Sequence, residues 1–268
     1  MKIEQVQEVR KWGNSSGVLL PREWLGKQVK VVLIDRTDEI RKEILDILGA
    51  YLEDALGIYL VGSYARGEQN DESDIDILVI SKETKKSFKS GKYEIEIIPL
   101  KGVMWLIANY PAMIYPKIID AAAVLNKGLL DEIREIEISQ GSMKNYLADC
   151  RKIIKIDRGL IASDKSKWKL LESTSVVYSS ILRLRALYMM NSIFSKKRYS
   201  NRLFEDWLTL KLGIDKEVYD KIYSAYMAVR DNKRIKERIP IELAERLVDL
   251  LEKEVEDMGK DGKKKKEA

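Results

Sequence analysis

The sequence contains no histidine, and this absence removes several kinds of catalytic site. Zinc sites with histidine ligands, serine or cysteine nucleophiles activated by histidine, and histidine general bases are all excluded. Any catalytic chemistry in this chain must therefore depend on carboxylates and metal ions.

Cysteine and long apolar segments are almost as scarce. Cys150 is the single cysteine, which excludes an intramolecular disulfide framework. The sequence shows neither a signal-peptide pattern nor an uncharged apolar run long enough to span a bilayer. We therefore expect a soluble, cytoplasmic protein without a membrane partner. Charged residues make up 34% of the chain, with many Lys and Glu, which is typical of proteins from thermophiles.

The charge balance gives little information about partners. A net charge of +5 over 268 residues is too small to indicate a nucleic-acid-binding protein. Lysines at positions 263–266 form a basic run at the end of the chain. We expect residues 259–268 to be a disordered basic tail.

Hydrophobic patterning divides the rest of the chain into three segments. Residues 1–36 alternate short apolar runs with turn residues, which predicts a small β domain with one helical turn opened by Pro21. Residues 37–140 combine an amphipathic helix with short strands, and residues 141–258 are helical almost without break, which favours an all-α helical bundle. The predicted strands run over residues 18–20, 29–34, 58–61, 75–80 and 93–99. The predicted helices of the last segment run over residues 143–156, 166–194, 201–212, 216–229 and 241–257.

A turn-rich segment between two predicted strands carries the residues with chemical potential. Gly62 and Ser63 follow the first strand, where free backbone N–H groups and a hydroxyl suit a triphosphate. Asp74 and Asp76 occupy alternate positions at the start of the next strand, so their carboxylates point to the same side. Such a pair favours Mg²⁺, in a site for two ions that would hold the acceptor and the triphosphate. The alternative is an ordinary exposed strand edge.

A third carboxylate is expected from the strand at residues 93–99. Glu94 and Glu96 lie on one face of this strand, with isoleucines and Tyr93 on the other. We favour Glu96, which is closer to the apolar end of the strand and could act as metal ligand or as general base. Glu94 remains an alternative, and so does a strand surface stabilised by salt bridges.

The spacing of Gly62-Ser63, ten residues and Asp74-x-Asp76, together with Arg66-Gly67 and Ser73, resembles the signature of the DNA polymerase β-like nucleotidyltransferase superfamily. The resemblance implies a mixed sheet with flanking helices, and hence an α+β fold for the whole chain. It implies metal ligation by Asp74 and Asp76, and nucleotide binding by Gly62, Ser63, Arg66 and Ser73. The expected cofactor is Mg²⁺, for which Mn²⁺ could substitute. Members often have Asp as the third carboxylate where this chain has Glu.

The implied activity is transfer of a nucleoside monophosphate from an NTP, with ATP as the expected donor, to a hydroxyl acceptor with release of pyrophosphate. The acceptor could be a protein side chain, an RNA end or a small hydroxylated molecule. The helical segment resembles the bundles that bind the acceptor in small nucleotidyltransferases, with Arg183 and Arg185 as candidate contacts. A helix face stabilised by salt bridges is the alternative for both arginines, and a HEPN ribonuclease is excluded by the absence of histidine.

Residues 6–35 resemble the AbrB-like swapped-hairpin DNA-binding domains, through the segment from Arg10 to Gly17 and the Pro21-Arg22 turn. The resemblance implies a homodimer, because one copy has too few strands to bury its apolar faces. Arg10, Lys11 and Arg22 are the candidate DNA contacts, and dimerisation without DNA binding is the alternative. A second hypothesis for the whole chain is therefore a DNA-binding regulator or antitoxin-like protein with a non-catalytic nucleotidyltransferase domain.

Overall fold

A computed structural model describes residues 7, 9–29, 37–70, 73–167, 169–235 and 237–264, with the backbone alone for residues 37, 38 and 261–264. The chain divides into two compact units, Met1–Ile44 and Leu45–Ala268. No helix in the described ranges is both long enough and apolar enough to cross a bilayer.

The first unit contains a short antiparallel hairpin. Strands β1 (Arg10–Trp12) and β2 (Ser15–Gly17) pair across a two-residue turn in which Gly13 has φ +58°. A 3-10 turn at Arg22–Trp24 follows Pro21, as predicted. The strand predicted at residues 18–20 is wrong, because a two-residue turn lets pairing start at Ser15. The strand predicted at residues 29–34 lies, except for Val29, outside the described residues.

The predicted helix after the hairpin is confirmed as α1 (Thr37–Ile47), which is followed by a 3-10 turn at Gly49–Tyr51. The next elements, in chain order, are β3 (Ala55–Val61), α2 (Gly62–Arg66), β4 (Ile75–Ser81), β5 (Lys86–Ser90), β6 (Tyr93–Pro99), α3 (Leu100–Asn109), α4 (Pro111–Asp120), β7 (Ala122–Leu125) and α5 (Lys127–Arg134).

Strands β3 to β7 form a five-stranded mixed sheet in the order β5-β6-β4-β3-β7. β4 and β6 are parallel, and the other neighbours are antiparallel. One face of β4 carries Asp76, Leu78 and Ile80 in succession, because side chains alternate along a strand. Leu78 and Ile80 pack into a core with residues of α3 and α4, such as Val103 and Ile114. Asp76 therefore lies at the end of this face where the apolar core stops.

The remainder is helical, with a 3-10 turn at Gln140–Met143 followed by α6 (Lys144–Lys165), α7 (Ser175–Phe194), α8 (Asn201–Leu212), α9 (Lys216–Arg230) and α10 (Ile241–Lys264). Ser200 and Asp215 cap α8 and α9 by accepting backbone N–H groups, which explains why both helices begin where predicted. α10 continues beyond the predicted end at residue 257, into the segment expected to be a disordered tail. The predicted α+β class, with a hairpin before the mixed sheet and helices after it, is confirmed.

The helix predicted over residues 166–194 begins only at Ser175, so its first part is wrong. The buried Asp164 carboxylate accepts the backbone N–H groups of Glu172 and Ser173, at 3.0 and 2.7 Å. These contacts keep Glu172 and Ser173 outside α7, because they satisfy the N–H groups ahead of that helix. Apolar periodicity alone could not reveal a side chain from the preceding helix.

Candidate active site

The glycine of the motif and the second aspartate are packed directly against each other. Val61, the last residue of β3, pairs with Asp76 on β4, and Gly62 follows with φ +71°. A Cβ atom on Gly62 would lie 2.0 Å from Asp76 Oδ2. Both the left-handed backbone and the carboxylate therefore require glycine at this position.

A cleft of about 340 Å³ opens at this end of the sheet. Asp76, Glu94 and Glu96 line it together with Gly62 and Lys117. In the parallel pairing of β4 with β6, Asp76 is the register partner of Glu94, whereas Glu96 is opposite Leu78. Both glutamates are thus on the face of Asp76, as predicted, but Glu94 is directly beside it.

The environment of Asp76 disfavours its ionised form. Burial raises the pKa of this carboxyl to about 6, and the negative charges of Glu94 and Asp74 act in the same direction. The cations of Lys117 and Arg230 oppose this rise without cancelling it. A divalent cation near these oxygens would reverse the penalty, because its charge would favour the ionised form.

Two lysines contact the other carboxylates of the cleft. Lys89 on β5 lies 3.6 Å from Asp74 Oδ2 and 3.6 Å from Glu94 Oε1. Lys117 on α4 lies 2.6 Å from Glu96 Oε2. Asp74 and Glu94 therefore share the ammonium group of Lys89, whereas Glu96 pairs with the ammonium group of Lys117. In the described part of the chain, no three carboxylate or cysteine side chains converge closely enough to form a metal-binding group.

The predicted nucleotide-binding residues differ in their surroundings. Ser63 is half-buried in the first turn of α2. Arg66 Nε lies 2.8 Å from Glu68 Oε2, Arg66 Nη1 lies 3.3 Å from Asp120 Oδ2, and the side chain is only 11% exposed. Ser73 Oγ accepts the Asn70 N–H at 2.9 Å and so shapes the loop before Asp74. The arginine is thus engaged by carboxylates, and Ser73 contacts its own loop.

The structure does not bring Arg183 and Arg185 together in one patch. Arg185 on α7 donates from Nε to Tyr199 Oη at 2.7 Å, whereas Arg183 Nη1 donates to the Ser179 carbonyl at 3.0 Å. The charge of Arg183 lowers the pKa of Cys150, a buried thiol whose pKa burial raises to about 11. Arg10, Lys11 and Arg22 are exposed residues of the first unit.

Sequence reasoning missed Lys89, Lys117 and Arg230 as members of the site's surroundings. Lys89 lies on β5, an edge strand whose sequence, Lys-Ser-Phe-Lys-Ser, has a single apolar residue. Lys117 and Arg230 belong to helices far away in sequence from the aspartates. Their positions depend on tertiary packing, so no local pattern could have indicated them.

The chain is similar to two family models and to known proteins. Residues 38–140 match the family model described as "Nucleotidyltransferase domain", and residues 3–37 match one described as "Putative transposon-encoded protein (DUF2080)". A protein of Methanocaldococcus jannaschii named "Putative protein adenylyltransferase" is 28% identical over 123 residues, which are 45% of this chain and 84% of that protein. The resemblance of the N-terminal residues to AbrB-like domains is not confirmed.

Two solved structures are also similar. Spectinomycin adenyltransferase AAD(9) from Enterococcus faecialis, with ATP and spectinomycin, is 14% identical with a TM-score of 0.46, over 82% of this chain and 100% of that one. A nucleotidyltransferase-like protein from Exiguobacterium sibiricum is 15% identical with a TM-score of 0.35, over 82% and 74%. The match over residues 38–140 and the relative from M. jannaschii identify this segment as a nucleotidyltransferase domain, and the predicted nucleotidyltransferase enzyme is confirmed.

Proposed function

We propose that this enzyme transfers AMP from ATP to a hydroxyl group of an acceptor and releases pyrophosphate. The observation that supports this most strongly is the half-buried Asp76 carboxylate, which is packed against the Gly62 backbone and faces Glu94 across β4 and β6. Its raised pKa indicates a site that is completed by positive charge. A divalent cation that accompanies a bound nucleotide would provide that charge.

Asp74, Asp76 and Glu94 would have to draw closer together to hold the cation, because they do not form a metal-binding group as they stand. Mg²⁺ is the expected ion, with two ions in the full site and Mn²⁺ as a substitute. When bound, Mg²⁺ would neutralise the triphosphate and lower the pKa of the acceptor hydroxyl. Lys89 balances Asp74 and Glu94 in the structure at 3.6 Å from each. A cation would have to displace this ammonium group or share the carboxylates with it.

Glu94 replaces Glu96 as our choice for the third carboxylate. Glu94 is the register partner of Asp76 and is the strongest electrostatic influence on it after burial. Glu96 is opposite Leu78 and forms an ion pair with Lys117 at 2.6 Å. Glu94 lies 3.6 Å from Lys89, which it shares with Asp74, so Glu96 is held more closely by an ammonium group and is less available to a metal ion.

The transfer itself forms one bond and breaks one. The acceptor oxygen attacks the α-phosphorus of ATP, the bond from this phosphorus to the bridging oxygen breaks, and the electron pair leaves with pyrophosphate. Glu96 lines the same cleft as Asp76 and would take the proton of the acceptor hydroxyl. Gly62 and Ser63, in the first turn of α2, would hold the triphosphate.

A protein hydroxyl is the acceptor that we propose first, because the relative from M. jannaschii carries the name of a protein adenylyltransferase. An RNA end and a small hydroxylated molecule are the other outcomes of the test. Incubation with ATP labelled at the α-phosphate and Mg²⁺, with the protein itself, RNA or a small polyol as acceptor, should transfer label to a protein. Equal labelling by the Asp74→Asn/Asp76→Asn variant would contradict the proposal.

The third carboxylate is tested by a matched pair of variants. Glu94→Gln and Glu96→Gln remove one charge each from the same face of the same strand. Mn²⁺ affinity should fall by about tenfold or more in Glu94→Gln and much less in Glu96→Gln, since a carboxylate ligand supplies much of the binding energy for hard cations. The opposite order would restore Glu96 as the ligand.

A second proposal concerns the first unit, which we infer to be a dimerisation module. Its apolar side chains are unusually accessible, with Trp12 68% and Leu25 80% exposed. A two-stranded hairpin is too small to be stable alone, and accessible apolar groups of this kind mark association sites. A Trp12→Ser/Leu25→Ser variant should be monomeric by light scattering if the unchanged chain is a dimer.

DNA binding by the same unit is the further outcome that the sequence predicts. Arg10 and Lys11 are exposed on β1, and Arg22 is exposed in the 3-10 turn. Duplex DNA binding that decreases with salt and is lost on Arg10→Ala/Lys11→Ala would support it. A dimer that binds no duplex would leave dimerisation as the function of this unit.

A further inference from the structure

The short helix α2 depends on its surroundings for its position. It spans only Gly62–Arg66 and ends at Gly67 in the left-handed conformation. A helix this short has almost no internal hydrogen bonds to stabilise it. Because Gly62 and Ser63 lie in its first turn, whatever fixes α2 also fixes the residues proposed to bind the triphosphate.

Glu68, directly after α2, connects this helix to the distant start of α8. Its N–H group donates to the Ser63 carbonyl at 2.9 Å. Its side-chain Oε1 accepts the backbone N–H of Asn201, the first residue of α8, at 2.9 Å. The other oxygen, Oε2, accepts Arg66 Nε at 2.8 Å. One residue thus contacts both ends of α2 and the first turn of α8.

Tyr199 completes this connection from the side of the helical segment. The Arg66 guanidinium lies over its ring, 5.3 Å from the centroid. Its hydroxyl accepts from Arg185 Nε at 2.7 Å and donates to Asn201 Oδ1 at 2.9 Å, and Arg185 Nη2 donates to the same oxygen at 3.0 Å. Tyr199 is only 9% exposed. Its position is therefore determined by Arg185 and Asn201, and it in turn restrains Arg66.

We propose that Glu68 and Tyr199 are positioning residues for nucleotide binding, which fix α2 against α7 and α8. The helical segment then helps to build the nucleotide site, in addition to any contact with the acceptor. Arg185 acts within this network through Tyr199 and Asn201, and its contact with the acceptor stays a prediction. This inference rests on the proposed function, since it concerns the same nucleotide site.

Glu68→Ala tests the inference at a half-exposed position where folding should survive. Affinity for a non-hydrolysable ATP analogue with Mn²⁺, measured by calorimetry, should weaken about tenfold, because two charge-assisted hydrogen bonds to α2 and α8 are lost. The KM for ATP should rise in proportion, while kcat at saturating ATP changes by roughly twofold or less. Glu68→Gln should recover much of the affinity, because its amide oxygen can still accept the Asn201 N–H.

Tyr199→Phe is the second variant, and it keeps the ring over Arg66 while removing the hydroxyl contacts. The matched control is Arg158→Ala, which breaks ion pairs with Asp249 and Glu252 on α10 and should leave analogue affinity unchanged. Backbone amide exchange over residues 62–68 should accelerate in Glu68→Ala and not in the control.

Unchanged affinity and unchanged exchange in Glu68→Ala would overturn the positioning role while leaving the proposed function intact. Failure of the unchanged protein to bind the analogue would instead contradict the proposed function. Amide exchange would still show in that case whether Glu68 fixes α2, because this measurement needs no nucleotide.

Discussion

Charged groups lie near both ends of α2, and their charges are balanced at one end but not at the other. Where α2 begins, Lys89 lies 3.6 Å from Asp74 and from Glu94, and Lys117 lies 2.6 Å from Glu96. The cations of Lys117 and Arg230 oppose the negative surroundings of Asp76 without cancelling them. Where it ends, Arg66 and Arg185 are matched by carboxylates and by neutral acceptors within hydrogen-bonding distance. The excess of negative charge disfavours ionisation of Asp76 at one end, whereas the balanced network holds the fold in position at the other.

The largest expected effect comes from removing the charge of Asp76. In Asp76→Asn, kcat should fall by about 10³-fold or more, because the loss of a metal ligand removes several kcal/mol of transition-state stabilisation. Transfer of label from α-labelled ATP measures this effect. Activity that persists within tenfold of the original would contradict the role of Asp76.

The next effect distinguishes Gly62, the first residue of α2, from Gly67, which follows its last residue. Gly62 and Gly67 both have a positive φ, of +71° and +69°, but a Cβ atom meets Asp76 Oδ2 at 2.0 Å at Gly62 and nothing within 4 Å at Gly67. Both alanine variants should lose about 1 kcal/mol of unfolding free energy through backbone strain. Gly62→Ala should lose more, and its activity should fall about 10²-fold because Asp76 is displaced.

Urea unfolding and the transfer assay on both variants check this prediction. Equal losses of stability and activity would mean that the contact between Gly62 and Asp76 has no consequence of its own. The pair therefore distinguishes backbone strain, which both glycines share, from the close approach of the carboxylate, which is found at one of them.

The features near α2 that depend on local sequence could be predicted, and those that depend on distant contacts could not. The aspartate pair, the glycine and the strands β3, β4 and β6 follow from local spacing and alternation. The choice between Glu94 and Glu96 does not, because alternation places both on one face and the register between β4 and β6 decides which one is beside Asp76. The network at Arg66 was missed for a similar reason, since Asn201 is 133 residues away from Glu68.

The raised pKa of Asp76 predicts a dependence of stability on pH. The pKa of the Asp76 carboxyl is about 6 in the folded protein and 3.8 in the unfolded chain. This carboxyl therefore stabilises the fold most below about pH 3.8. That contribution is lost as the pH rises through about 6, because the folded state then has to ionise a buried carboxyl. At pH 7.5 without divalent cations, Asp76→Asn should therefore be more stable than the unchanged protein by about 1–3 kcal/mol.

Urea unfolding at pH 7.5 and pH 4 measures this difference, which should shrink toward zero at the lower pH. Mg²⁺ with ATP should reduce it at pH 7.5 by stabilising only the unchanged protein. If Asp76→Asn were less stable than the unchanged protein at pH 7.5, the charge of the Asp76 carboxylate would already be balanced by its neighbours, as the charge of Arg66 is.

The smallest expected effect concerns Lys89, which lies beside the carboxylates of Asp74 and Glu94 near the start of α2. Lys89→Gln removes an ammonium group that shares Asp74 and Glu94 with any bound cation. Mn²⁺ affinity should therefore rise, by roughly two- to fivefold, as expected for an exposed ion pair that competes with the metal. Lys85→Gln, which removes the same charge from an exposed position just before β5, is the control and should change Mn²⁺ affinity less. Weaker Mn²⁺ binding in Lys89→Gln would mean that Lys89 supports the site by holding the two carboxylates together, so that the negative charge at the start of α2 would be less unbalanced than the distances indicate.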